Sequence, residues 1–224
     1  MRSRDRPARD QASAVRLLLD PQVTLERRQR AAITLGLRGP FLVTAALPLA
    51  GAPASLTGRR VAQVGEITVV IRAEDGELAG ARRAGSCEAT VDDAPTAFDQ
   101  ATLALRLTGD PAHLEPDRLR YQDLGSLAVL AATMSPAQAA AVPDVEQFAG
   151  LDAEHPWVLA TLRAAATAPS LRQAAASLHV HHSTAQERLA WLDRHLGYPV
   201  LSPWGRQRTL LTLSLWRLAQ PLVA

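Results

Sequence analysis

Residues 170–197 read SLRQAAASLHVHHSTAQERLAWLDRHLG, and this stretch predicts two helices joined by a tight turn. Apolar residues recur in each half at spacings of three and four, which is typical of one buried face of a helix. In the first half they are Leu171, Ala174, Ala175 and Leu178, and in the second half they are Ala185, Leu189, Leu192 and Leu196.

The ends of the two helices carry their own signals. Ser170 is the predicted N-cap of the first helix. Ser183 is the predicted N-cap of the second, with Gln186 completing a capping box, and Gly197 is its predicted end. Val180 is the strongly apolar residue of the turn and is expected to fill the space between the helices. These features together predict a helix-turn-helix, a motif that can place its second helix in the major groove of DNA.

The turn sequence Leu178-His179-Val180-His181-His182-Ser183-Thr184 resembles the C-terminal helix-turn-helix of the PucR/CdaR family of bacterial transcription regulators, and it is also similar to the Fis-type motif. In that family an alanine-rich helix is followed by L-H-V-H-R-N-T and a recognition helix that ends in L-G. Upstream, Tyr121 to Gly125 and Phe98 to Leu107 are similar to segments of the family's GGDEF-like domain. The resemblance implies a transcription regulator that binds double-stranded DNA, and a sheet domain related in fold to nucleotide cyclases that has lost their signature.

Three positions depart from the family pattern. The family usually has arginine where this chain has His182 and Gln186, and tyrosine where it has Glu187. Because arginines supply affinity for phosphates, this recognition helix is expected to bind DNA of any sequence more weakly. Base reading survives the change, since glutamine can bond adenine and glutamate can accept from cytosine. The alternative is a sensory or protein-interaction module that has kept the fold and lost DNA binding.

The predicted DNA contacts fall into two groups. Residues of the second helix that are expected to face base edges are His182, Ser183, Gln186 and Glu187. Candidates for backbone phosphates are Ser170, Arg172, Thr184 and Arg188, and His181 of the turn completes the predicted DNA-binding set. One recognition helix touches only a few base pairs, so a homodimer is expected, with the second copy one helical turn away. The family resemblance also leaves room for a small-molecule effector.

Composition limits the function classes. The 224 residues suffice for one large or two small domains, and 47% are hydrophobic. No apolar run is long enough to span a bilayer, and the charged N-terminus does not resemble a secretory signal. The single cysteine, Cys87, excludes an internal disulfide and is predicted to be a buried core residue, which fits a cytoplasmic protein. Residues 151–224 hold seven arginines and four acidic residues, whereas residues 1–150 hold 17 and 18.

The remaining sequence predicts an α+β or α/β fold, with a small sheet domain before an all-α helix-turn-helix domain. The family resemblance implies that this sheet domain is a degenerate GGDEF-like domain. The expected division is a tail and helix at 1–29, the sheet domain at 30–142, a linker at 143–155 and the DNA-binding domain at 156–224. Predicted strands are Phe41–Leu47, a hairpin of Val61–Val64 and Ile67–Arg72 around Gly65-Glu66, an edge strand at Gly85–Val91, and Arg118–Gln122. Predicted helices are Ala12–Leu19, Thr24–Leu35, one from Asp93 or Thr96 to Leu107, Leu124–Met134 and one from Pro136 into Ala141, with a loop at Gly51–Gly58.

Catalysis, cofactors and metals are not expected. A nucleotide cyclase needs paired carboxylates that hold divalent metal near the phosphates, and the acidic run Glu74-Asp75-Gly76-Glu77 is better interpreted as a solvated turn. His179, His181, His182 and His195 have no cysteine or acidic partner at zinc-like spacing, so a polar turn is predicted there. Trp191 and Trp216 are predicted to lie in the core and Trp204 on the surface.

Overall fold

The computed structural model describes residues 5–48, 60–73, 78 and 80–222. The chain divides into two compact units. In the described part, the first unit comprises residues 5–108 and 117–132, and the second comprises 109–116 and 133–222. The first holds a mixed sheet with helices and the second is helical, which confirms the predicted α+β class.

In the described residues, the sheet of the first unit has five strands: β1 (Phe41–Pro48), β2 (Val61–Val64), β3 (Ile67–Arg72), β4 (Ala81–Ala89) and β5 (Arg118–Arg120). Their order is β2-β3-β1-β4-β5, and every neighbouring pair is antiparallel except β4 and β5. The predicted hairpin of β2 and β3 is confirmed. Gly65 turns it with a φ of 60°, a left-handed conformation that glycine adopts without steric cost.

The edge strand predicted at Gly85–Val91 is wrong. The strand runs from Ala81 to Ala89, and it lies inside the sheet between β1 and β5. The strand is not at the edge because β5 pairs with it, with Arg120 opposite Ser86. Strand β5 comes from a segment more than thirty residues further along the chain. The sequence around β4 alone therefore could not predict this partner strand.

Among the described residues, the α-helices of the first unit are α1 (Asp5–Leu19), α2 (Leu25–Thr34), α3 (Ala94–Leu107) and, apart from its last residue, α4 (Ser126–Thr133). Helix α3 packs closely on β1 and β4 because Gly85 has no side chain. A Cβ atom there would lie 2.2 Å from the backbone oxygen of Ala101. Cys87 lies on the same side of β4 and is buried, as predicted, and burial raises the pKa of its thiol.

Within the predicted tail and helix of residues 1–29, the described residues form helix α1 and the start of helix α2. Helix α1 begins at Asp5 and buries Val15 and Leu18 completely. It packs against α2, β2 and α3, so both N-terminal helices are part of the sheet unit. The amphipathic spacing of these apolar residues explains why the helix is held there.

The second unit contains α5 (Pro136–Ala140), α6 (Pro143–Glu154), α7 (Val158–Thr167), α8 (Leu171–Ser177), α9 (His182–Leu196) and α10 (Pro203–Ala219). The predicted linker at 143–155 is a helix, α6, whose Phe148 is fully buried and meets Trp216 edge to face at 5.3 Å. Pro143 stands in the first turn of α6, where proline is tolerated, rather than in a connection. The core of this unit consists of Phe148, Val158, Leu159, Leu162, Ala165, Leu189, Leu192, Leu196, Tyr198, Val200 and Leu213.

Two predictions fall outside the described residues: the loop at Gly51–Gly58 and the acidic run Glu74-Asp75-Gly76-Glu77. Among the helices that the structure describes, none is both long and apolar enough to cross a membrane.

Candidate nucleic-acid interface

The turn between α8 and α9 is a Schellman motif. Helix α8 ends at Ser177, and His179 follows in the left-handed conformation with a φ of 54°. The amide of His179 donates to the carbonyl of Ala176, and the amide of Val180 donates to the carbonyl of Ala175, each over 3.1 Å. These two bonds satisfy carbonyls that would otherwise be unpaired at the end of α8. Val180 is half-buried beside Ala175, close to its predicted position between the helices.

Helix α9 begins one residue before its predicted N-cap. It starts at His182, and the cap is His181, whose Nδ1 accepts a hydrogen bond from the amide of Ser183 over 3.3 Å. The hydroxyl of Ser183 lies 2.8 Å from the same nitrogen. The predicted cap of Ser183 with Gln186 is therefore wrong, because the imidazole of His181 already occupies that role. The predicted N-cap of α8 is confirmed, since Ser170 Oγ accepts from the amide of Gln173.

The inner face of α9 anchors the helix. The four apolar residues predicted for this face are all buried, and Gly197 ends the helix with a φ of 75°, as predicted. They are Ala185, Leu189, Leu192 and Leu196. Burial of this inner face fixes the direction in which the opposite face of α9 points.

The outer face of α9 is open to solvent. All four residues predicted to face base edges are exposed: His182, Ser183, Gln186 and Glu187. The exposed stripe continues at spacings of three and four from Ser183 through Glu187 and Ala190 to Arg194. Ala190 and Arg194 were not predicted as site residues, although the spacing alone would have found them. Ala190, a small residue in the middle of the stripe, leaves room for a binding partner to approach α9 closely. Arg194 adds a positive charge to the stripe.

The predicted phosphate contacts differ in their surroundings. Ser170, Arg172 and His181 are exposed, and Thr184 is half-buried. Arg188 is half-buried, with its guanidinium 5.1 Å from the ring centre of Trp157. A concave surface that encloses a volume of about 500 Å³ is lined by Arg172, Val180, His181 and His182. This surface lies between α8 and the start of α9, and the N-terminus of a helix such as α9 favours anions such as phosphate.

An aromatic cluster holds α9 against the segment that leads into α7. Trp157 and Trp191 meet at 5.2 Å, and His195 stacks on Trp191 at 3.7 Å while its Nδ1 donates to the Trp191 carbonyl. His155 lies 4.8 Å from Trp191. These rings account for His195 as a packing residue. Among the described residues, no three His, Cys, Asp or Glu side chains gather as a metal site would require.

Helix α7, which lies beneath the motif, is fixed by buried polar contacts. Glu115 is buried, and it accepts from Arg163 Nη2 over 2.9 Å and from the amide of Asp110 over 3.0 Å. Burial lowers the pKa of Arg163. At the start of α7, the amide of Leu159 donates to Asp152, whose carboxyl pKa is raised by burial.

The arginines after Trp204 serve the fold of the second unit. Arg206 Nη1 donates to the carbonyl of Ala168 over 2.7 Å at the end of α7. Arg208 makes two 2.7 Å hydrogen bonds to Asp144 and lies over the ring of Tyr198. Trp204 itself is exposed, as predicted, whereas Trp191 and Trp216 pack against the core.

The sequence matches no family model and no curated protein. The crystal structure of a regulator of polyketide synthase expression from Bifidobacterium adolescentis is similar over 93% of this chain and 92% of that chain, with 18% sequence identity and a TM-score of 0.38. A similarity this weak carries no argument about function. The function is therefore inferred from the geometry of the second unit.

Proposed function

We propose that this protein is a DNA-binding transcription regulator of the PucR/CdaR type, in which α9 enters the major groove. The supporting observation is the contrast between the two faces of α9. Its inner face is held by buried leucines, while His182, Ser183, Gln186 and Glu187 stand exposed on its first turns. A rigid helix with an exposed polar edge is what major-groove reading requires.

Polar side chains beside the turn support binding to the DNA backbone. Arg172, a cation, lines the concave surface between α8 and the start of α9 together with two histidines. In this proposal Arg172 neutralises a phosphate, which orients the chain on the duplex without reading sequence. Arg194 on the outer stripe is a further candidate for such a contact.

We propose that the active form is a homodimer. One helix of this length reads only a few base pairs, so a second copy about 34 Å away would supply the missing affinity. Analytical ultracentrifugation of the full chain, alone and with bound DNA, tests this part. A complex that contains one protein copy at saturation would remove the dimer from the proposal.

The test of DNA binding is fluorescence anisotropy of the full chain with a labelled duplex over a range of salt concentrations. Because binding releases counterions, the logarithm of the affinity should fall steeply and linearly with the logarithm of salt concentration. Arg172→Ala should reduce that slope by about one. The matched control is Arg38→Ala, which removes an exposed arginine from the sheet unit. No binding at about 50 mM salt would reject the proposal.

A protein-interaction module is the second candidate. Glu187 lies on the exposed stripe of α9, where its charge opposes DNA phosphates, and Arg188 is engaged with Trp157. A module of this kind would show little binding to DNA at any salt concentration, so the same titration separates the two functions.

We further propose that the chain is not an enzyme. The sheet unit would then serve as a scaffold or sensor rather than a cyclase. Incubation of the full chain with GTP or ATP and magnesium should give no cyclic nucleotide. Steady product formation, lost when the protein is heat-denatured, would overturn this part of the proposal.

A further inference from the structure

A small cavity of about 260 Å³ opens on the sheet face of the first unit that lies opposite α3. Gly85 faces α3, so its neighbours along β4 face the other way. The register places Thr44, Ser86 and Arg120 side by side across β1, β4 and β5. Arg118 lies two residues before Arg120 and therefore shares its side of the sheet. Polar side chains of the cavity wall are Thr44, Arg72, Ser86, Arg118, Arg120 and Asp123.

Two hydrogen-bond donors at this cavity are buried without a partner. The side chain of Thr44 is 2% exposed, and among the described residues its Oγ1 has no hydrogen-bond partner. Within the described part of the chain, Nη1 of Arg118 is also buried and has no hydrogen-bond partner, although the Arg118 side chain as a whole is 36% exposed. This nitrogen lies 4.0 Å from the Asp117 carboxylate, beyond hydrogen-bond reach. Arg118 is held in place through Nη2, which donates to the carbonyl of Ala81 over 3.2 Å. Leaving a buried polar group unpaired is costly, so these donors indicate a missing acceptor.

The guanidinium groups at the cavity suit an anion. Its wall contains three arginines, Arg72, Arg118 and Arg120, and one carboxylate, Asp123, and the Asp117 carboxylate lies 4.0 Å from Arg118. Arg120 also pairs with Glu88, which is exposed. Guanidinium groups match the planar oxygen pairs of carboxylates and phosphates, and a hydroxyl can donate to a further oxygen.

We propose that this cavity binds a small metabolite through an oxyanion group, a phosphate or a carboxylate. Its oxygens would accept hydrogen bonds from Thr44 Oγ1 and Arg118 Nη1. The volume of the cavity is slightly smaller than that of sites for drug-sized ligands, which favours a compact anion. The site belongs entirely to the sheet unit. Its existence therefore does not depend on the proposed DNA-binding function.

The test is thermal unfolding and isothermal calorimetry of the full chain with inorganic phosphate and, separately, with malonate. Ionic strength is held constant with chloride. A ligand that binds the folded state raises the unfolding midpoint in a saturable way, with a size set by its concentration relative to Kd. A larger response to phosphate indicates a phosphate-bearing ligand, and a larger response to malonate indicates a carboxylate. Both anions giving no more than chloride would overturn the proposal.

Two variants locate the binding. Arg118→Gln removes the unpaired cation, and Thr44→Val removes the unpaired hydroxyl while keeping the side-chain volume. Each should weaken anion binding about tenfold or more, whereas Arg38→Gln, which removes an exposed charge of the same unit outside the cavity, should not. Equal binding by all three variants would reject the site.

Thr44→Val also guards against a trivial loss of folding. Without added anion this variant should be at least as stable as the natural chain, because valine leaves no buried hydroxyl unpaired. Its response to phosphate and malonate therefore decides the question even if Arg118→Gln does not fold.

Discussion

The guanidinium of Arg188 lies over the indole of Trp157, 5.1 Å from the ring centre. This contact joins the middle of α9 to the segment that precedes α7. The sequence assigned Arg188 to a DNA phosphate, and that assignment stays a prediction. In the structure the side chain has a packing role in addition, so its replacement should affect stability as well as DNA binding.

Replacing Arg188 and Arg172 separates these two roles. Arg188→Ala should lower the free energy of unfolding by about 0.5–1 kcal/mol, because a cation–π contact is lost. Arg172→Ala should change stability by less than about 0.5 kcal/mol, since that side chain is exposed. Both variants should weaken binding to every DNA sequence alike. Urea unfolding and anisotropy measure the two effects, and equal unfolding midpoints for the two variants would show that the stack contributes nothing.

The left-handed residue of the turn offers a stability test. His179 has a φ of 54°, and glycine adopts this conformation at lower cost than other residues. His179→Gly should therefore raise the free energy of unfolding by about 0.5–1 kcal/mol. His179→Ala is the control, because it removes the same imidazole without relieving the backbone, and it should give no such gain. A stabilised alanine variant would mean that the imidazole itself was unfavourable.

The two helices at residues 170–197 and most of their ends were predictable because their signals are local. The N-cap of Ser170, the buried inner face of α9 and the end at Gly197 depend on neighbours within a few residues. The cap of α9 was missed because His181 is not among the residues usually preferred there. Helix α6 was also missed, because Pro143 fits both the first turn of a helix and a connection between helices.

What could not be predicted depends on distant pairing. The inner position of β4 is set by β5, and the cavity beside Thr44 exists because three strands bring Ser86 and Arg120 next to it. The spacing of residues along the chain does not predict that arrangement. The outer stripe of α9 is the opposite case, because Ala190 and Arg194 follow from the same periodicity that identified the helix.

The ion pair of Asp144 and Arg208 gives a pH-dependent prediction. Hydrogen bonds from Arg208 lower the pKa of the Asp144 carboxyl in the folded state. A carboxyl with a lowered folded-state pKa stabilises the protein above its unfolded pKa of about 3.9, and this contribution is lost as pH falls through the folded value. Asp144→Asn should thus be destabilised at pH near neutral by about 0.5–1.5 kcal/mol, a modest amount because both side chains are partly exposed.

The difference between Asp144→Asn and the natural chain should shrink as the solution is acidified below the unfolded pKa. Urea unfolding at several pH values measures it. Glu146→Gln on the same helix is the matched control, since Glu146 is exposed and has no ion pair among the described residues. A difference that does not change with pH would show that the effect of Asp144 is not due to its charge.

Base reading by Gln186 is the sharpest test of the proposed function. Gln186 is exposed beside the first turn of α9, and a glutamine there can bond adenine through two hydrogen bonds. Duplexes selected from a random library by the natural chain supply the preferred sequence, and each base pair is then changed in turn. Gln186→Ala should lose about 1–3 kcal/mol on the preferred sequence and should no longer discriminate at one position. Gln207→Ala, which removes an exposed glutamine from α10, should keep the full pattern of preference. A uniform loss on all duplexes would assign Gln186 to the backbone, and no loss at all would place α9 outside the groove.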